Sequence, residues 1–218
     1  MKKERLYPES KVELTPFVAR NYDVLLKAAS LGRYRSFLKR AVEDMELKPG
    51  MHILDMGCGS GYNASLMLPY IGDHGSLTGL DISPEMEKQF RKRFQNSSNV
   101  SFLNQRIDIP FDLGQTFDVV FMSFVLHGFP HQVRDVILEN MNRHLKPGGT
   151  FMLLDFAEFD LKRMPRLHYW VFTHVECVYA FDFVGRDWKA LLSGKGFIHF
   201  NEFLYLKNYV RLLKAKKS

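Results

Sequence analysis

Ile53-Leu54-Asp55-Met56-Gly57-Cys58-Gly59-Ser60-Gly61 sets an apolar strand, an acid at its end and three alternate glycines in one short run. Glycine lets the backbone turn sharply and approach a ligand where a Cβ would collide, and the helix start that follows leaves amide N–H groups unpaired. The stretch reads as a strand, a tight turn and a helix N-terminus shaped for a nucleoside-bearing ligand.

Outward from this turn, short apolar runs alternate with helical segments. Residues 52–55 read as the first strand and 62–70 as the helix after it. Residues 76–82 read as a second strand, and Ser83 caps the next helix, with Pro84 and Glu85 in its first turn. Strands three and four fall at 100–103 and 117–124, where Val119-Val120-Phe121 marks a strand covered on both faces. A helix over 132–144 stops at Leu145-Lys146-Pro147-Gly148-Gly149, and strand five follows over 150–156. Gly194-Lys195-Gly196 ends a later helix, and 197–205 and 209–213 read as two closing strands. This alternation predicts a doubly wound, mostly parallel α/β sheet with helices on both faces and an antiparallel edge.

Residues 1–50 read as a helical cap, because Val24-Leu25-Leu26-Lys27-Ala28-Ala29 and then Tyr34, Phe37, Leu38 and Val42 keep an approximate helical period before Lys48-Pro49-Gly50. Residues 51–218 form the core, with an insert at about 157–185, and the two parts make a single domain. At 218 residues, 46% hydrophobic and 25% charged, the chain has the composition of a globular protein and not of a disordered one.

The net charge of +6 is concentrated in Lys2-Lys3-Glu4-Arg5 and Lys214-Ala215-Lys216-Lys217. Such tails serve solubility more often than nucleic-acid binding, so a nucleic-acid partner is not expected. Cys58 and Cys177 are the only cysteines and form no CxxC pair, which predicts a reduced, cytoplasmic setting and no metal. The first residues are too polar for a signal sequence. No run reaches the roughly 18–20 apolar residues that span a bilayer. The nearest, 170–184, is interrupted by His174, Glu176 and Asp182, and could touch a membrane without crossing it.

Four pieces, Leu54-Asp55-Met56-Gly57-Cys58-Gly59-Ser60-Gly61, Leu80-Asp81-Ile82-Ser83, Phe117-Asp118-Val119-Val120 and Leu145-Lys146-Pro147-Gly148-Gly149-Thr150, span residues 51–156. In that order and spacing they resemble the seven-stranded, Rossmann-like class I methyltransferases that use S-adenosylmethionine, especially the ubiquinone and menaquinone C-methyltransferases. The resemblance implies S-adenosyl-L-methionine as cofactor and S-adenosyl-L-homocysteine as product. Asp55 and the turn Gly57, Cys58, Gly59 and Gly61 then fall at the methionine part, and Asp81, with Ile82 beside it, at the ribose hydroxyls. Gln105, Arg106 and Ile107 fall on the adenine side, where Gln105 replaces a frequent acid and Asp108 is an alternative for the acidic role. Ser123 and Phe124 line the cofactor at the end of strand four. A dinucleotide site is disfavoured, because Gly57-x-Gly59-x-Gly61 lacks the wider G-x-G-x-x-G spacing.

His127 stands where the resembling family borders the acceptor and is the candidate base or substrate orienter; a polar cap over neighbouring aromatics is its plain structural role. The acceptor side draws on Tyr22 and Tyr34 and on the aromatic insert with His168, Tyr169 and Phe172, a density that suits a planar, apolar molecule or simply a packed lid. Arg163, Arg166 and His168, with Arg106, could meet an anionic acceptor or only solvent. The first expectation is a methyltransferase acting on a small aromatic or apolar, quinone-like acceptor. An RNA or protein methyltransferase and a non-catalytic cofactor-binding regulatory protein are the alternatives. A homodimer and a peripheral membrane contact stand open as uses of the aromatic stripe.

Overall fold

The computed structural model describes Tyr7, Ser10 and residues 33–218. The cap segment 24–29 and Tyr22 lie outside the described residues. In chain order the elements are α1 (Arg33–Glu43), β1 (His52–Met56), α2 (Tyr62–Ile71), β2 (Ser76–Asp81), α3 (Pro84–Arg93), β3 (Val100–Asn104) and β4 (Phe117–Ser123). There follow α4 (His131–His144), β5 (Leu145–Phe156), α5 (Arg166–Val175), α6 (Val178–Val184), α7 (Trp188–Ser193), β6 (Phe197–Tyr205) and β7 (Val210–Lys217).

The seven strands form one sheet in the order β3-β2-β1-β4-β5-β7-β6. β1 to β5 are parallel, and β7 runs antiparallel to both β5 and β6. The expected edge hairpin is present, with its reversed strand one place in from the edge. Because alternate strand residues point to opposite faces, Leu54, Met56, Phe151 and Leu153 enter one core while Ile53, Met152 and Leu154 enter the other. The first core is closed by α4, α6 and α7, the second by α1, α2 and α3.

Local chemistry explains the frame. Ser83 accepts a hydrogen bond from the Met86 amide, Pro84 opens α3, Glu85 and Glu87 lie in its first turn and Arg91, Lys92 and Arg93 in its last. Every one of these choices suits a helix macrodipole. β5 differs from its predicted start. It begins at Leu145, directly after α4, because Leu145 already pairs with Phe117 and Lys146 reaches Asp118 at 2.7 Å; the Pro147-Gly148-Gly149 turn lies inside an irregular first stretch of the strand.

Candidate cofactor and acceptor site

The C-terminal ends of β1, β2, β4 and β5 deliver Asp55, Asp81, Ser123 and Asp155 to one edge of the sheet. After β1 the chain turns back at once, and the Gly57 and Cys58 amides both donate to the Leu80 carbonyl at the end of β2, at 2.8 and 3.0 Å. One carboxylate oxygen of Asp81 accepts from the Gly59 amide at 2.9 Å, while the other accepts from Ile82 at 2.8 Å and Ser83 at 2.9 Å. Asp81 thereby fastens the turn to β2. Burial raises its pKa, and the Ser83, Gly59 and Ile82 amides oppose that rise.

Gly57, Gly59 and Gly61 all have positive φ, at 84°, 52° and 75°. A Cβ on Gly57 would lie 2.6 Å from Val125, and one on Gly61 2.6 Å from the Phe90 ring. Gly59 is different: its Cβ would meet nothing nearer than the Met86 sulfur at 3.9 Å, so its open side is available to a ligand.

Asp55 is buried, and its Oδ2 has no hydrogen-bond partner. Burial, and then the negative charge of Asp81, pushes its pKa up to about 8. The same surroundings hold the Cys58 thiol well above its usual value, so it stays protonated. An orphaned carboxylate oxygen beside an open glycine turn fits a ligand that brings a cationic amino group, and the amino-acid end of S-adenosylmethionine carries one.

In the loop after β3, where the adenine contacts were expected, Gln105 donates to the Arg106 carbonyl at 2.8 Å, and Arg106 grips Asp108 through two hydrogen bonds of 3.0 and 2.7 Å. Ile107 is buried in the first core. Tyr7 donates to Asp108 at 2.8 Å, and Ser10 donates to the Gly128 carbonyl at 2.6 Å, so these two residues touch the loop after β3 and the turn after β4. Phe124 follows β4 with φ 52°, a left-handed conformation unusual for an aromatic residue. It swings the chain out of the sheet, and its ring meets those of Phe37 and Phe156.

That swing leads into the short turn Leu126–Gly128, which carries His127. Its Nδ1 lies 2.7 Å from Asp155 Oδ1, its own amide donates to Asp155 Oδ2 at 3.3 Å, and its Nε2 lies 3.6 Å from Glu176. Burial pulls the imidazole pKa down, but Asp155 and then Glu176 more than reverse this, so the net shift is upward. The ring packs on Phe156 at 5.0 Å, and Phe156 packs on Phe172 at 5.3 Å. A fully buried Arg134 completes the turn, donating to the carbonyls of Leu126, His127 and Tyr179 and to Asp182.

Asp55, the glycines, Cys58, Asp81 and Ile82 thus come together at one end of the sheet, and His127 and Phe172 both pack on Phe156. The other residues expected on the acceptor side are dispersed. Tyr34 packs against Phe37, His168 is bonded to the Tyr209 hydroxyl at 2.9 Å, and Tyr169 is nearly half exposed. Asp155 and Glu176 escaped the sequence reading. Asp155 carried a signal, since it is an acid closing a buried apolar strand just as Asp55 and Asp81 are. Glu176 carried none. Among the described residues no cluster of His, Cys, Asp and Glu could hold a metal ion.

Residues 53–149 match the family model described as "Methyltransferase domain". The match covers the four strands β1 to β4 and the glycine turn, the part of the chain that builds this end of the sheet. The chain is 32% identical over 142 residues to the demethylmenaquinone methyltransferase of Staphylococcus carnosus (strain TM300), covering 65% of this chain and 58% of that protein. It is 30% identical over 156 residues to the protein of the same name from Staphylococcus aureus (strain MRSA252), covering 70% and 64%. The chain therefore spans less than two thirds of either relative. A solved methyltransferase structure from Aquifex aeolicus, titled as SAM dependent, has a TM-score of 0.61 at 21% identity, covering 83% of this chain and 89% of that one, and shares the methyltransferase fold.

Proposed function

We propose that this chain is an S-adenosylmethionine-dependent methyltransferase that acts on a small aromatic, apolar acceptor with the ring chemistry of a quinone or its reduced form, and that His127 is the group that handles the acceptor's proton. The observation that carries the reading is His127 itself, a buried imidazole held by Asp155 against an aromatic wall at the cofactor edge of the sheet. The names of the two relatives support the choice of acceptor class.

S-adenosylmethionine, when bound, supplies an electrophilic methyl on a sulfonium, so the protein's work is alignment, exclusion of water and proton management. Asp55 and Asp81, with the glycine turn, would hold the methionine and ribose ends. Asp155 accepts from His127 Nδ1–H, which leaves Nε2 with a lone pair to take the acceptor's proton as the methyl transfers. Phe156, Phe172 and Phe183 keep that proton path dry.

Incubation with radiolabelled S-adenosylmethionine and a panel of reduced quinones, phenols, RNA and protein extracts tests the reading. Label transferred to the aromatic acceptors, and reduced strongly by His127→Gln, is the expected result. Transfer to RNA or protein with none to the aromatic panel overturns it.

A further inference from the structure

α5 is apolar on its outer face as well as on its inner one. Leu167, Trp170, Val171 and Val175, at i, i+3, i+4 and i+8, all point outward, with Leu167 70% and Trp170 58% exposed. The inward side is held by His168, bonded to Tyr209, and by Phe172, which sits among Phe156, Phe159 and Phe181. An apolar stripe this long facing water is a docking surface or a liability for aggregation.

The charges beside the stripe choose between occupants. Lys162, Arg163 and Arg166 lie at its head, all exposed, and residues 161–175 contain no Asp or Glu. Arg163 makes a 3.5 Å contact to Asp160 while remaining 89% exposed, so its charge still faces solvent. The β6–β7 turn is joined to α5 through Tyr209 and His168, and it carries an exposed Leu206 and Lys207. Asp182 and Glu176 face elsewhere, towards Arg134 and Arg186 and towards His127. A second copy of this segment would offer the cations no acidic residue to pair with, whereas an anionic lipid surface attracts the cations and accepts the apolar side chains.

We propose that the outer face of α5, with the β6–β7 turn, docks on an anionic lipid bilayer as a peripheral contact. The helix lies flat, with Leu167, Trp170, Val171 and Val175 in the acyl boundary and the three cations at the headgroups. Docking stands independently of the acceptor reading, yet it has a consequence for it: a single helix then separates the bilayer from Phe156 and His127.

The chain has two tryptophans, a fully buried Trp188 and the exposed Trp170, so fluorescence reports the contact directly. Flotation of the whole chain with phosphatidylcholine vesicles, with and without phosphatidylglycerol, is measured together with tryptophan emission and iodide quenching. The expected result is flotation with the anionic vesicles, a blue-shifted emission protected from iodide, and loss of that shift but not of flotation in Trp170→Phe. Leu167→Ser combined with Val171→Ser should weaken vesicle binding about tenfold or more, while binding of S-adenosylhomocysteine, which reports the folded core, stays unchanged. No flotation, flotation unaffected by the double substitution, or a concentration-dependent dimer that the same substitution dissolves would each overturn the proposal; the second would assign binding to cations elsewhere on the chain and the third to a second copy.

Discussion

Replacing Asp55 by asparagine isolates the charge that the glycine turn encloses. In the folded protein its carboxyl is pushed from an ordinary 3.8 to about 8 by burial and by Asp81, so above pH 4 the unfolded chain binds fewer protons at this position than the folded one. Stability therefore falls as pH rises, by about 1.4 kcal/mol per unit, until the folded group ionises near the upper value. Between pH 6 and pH 8 this amounts to about 2 kcal/mol lost from the unliganded protein, or a fall in Tm of about 4–8 °C for a chain of this size. Asp55→Asn keeps the shape and removes the titration, so its stability should lack this component; His127 titrates in both proteins and cancels in the comparison. Binding should run in the opposite direction. If an ionised Asp55 receives the amino group of the cofactor, affinity for S-adenosylhomocysteine rises towards pH 8 by up to about tenfold per unit in the wild type, and is weaker and flatter in the variant. Denaturant unfolding and calorimetry at several pH values measure both. Parallel pH dependences in the two proteins would refute the reasoning, because they would show that Asp55 is already ionised, or unused, in the folded state.

Asp81→Ala should weaken cofactor-product binding by about 1–3 kcal/mol through lost hydroxyl hydrogen bonds, read by calorimetry. Gly61→Ala should destabilise the fold by about 1–3 kcal/mol, read as a lower midpoint of thermal unfolding, because φ is 75° and the new methyl meets Phe90 at 2.6 Å. His127→Gln should lower kcat by about 10²–10⁴-fold with little change in cofactor affinity. Asp155→Asn should lower kcat less and move the rising limb of the kcat–pH profile to lower pH, because it removes the main charge that raises the imidazole pKa and leaves burial to lower it.

Much of the fold was legible because its parts are local. The glycine turn, the Ser83 cap and the near-continuous apolar strands each follow from a few neighbouring side chains, but β7 runs on to Lys217, so the lysines expected as a solubilising tail are paired in the sheet and Lys214 is buried against Glu46. β5 was misjudged at its start because cross-strand pairing with Phe117 and the Lys146–Asp118 contact hold a Pro-Gly-Gly segment in the sheet, and neither partner is near in sequence. The placing of Asp55, Asp81 and the glycines was readable for the same reason as the fold, since the acids end strands and the glycines follow at once. The surroundings of His127 were not. Asp155 meets His127 across 28 positions of chain and Tyr7 meets Asp108 across 101, contacts that only the assembled sheet creates. Helical spacing in the insert identified an aromatic stripe but not which side of it faced inward, and α5 turns several of those residues out to solvent.

The buried guanidinium of Arg134 has a mechanical meaning as well as a structural one. By holding the carbonyls of Leu126 and His127 together with Tyr179 and Asp182, it welds the turn after β4 to α6, so the two travel as one plate. Cutting the guanidinium away would therefore free both ends of that plate at once, and the imidazole would lose its aim without any change to the residues that touch it.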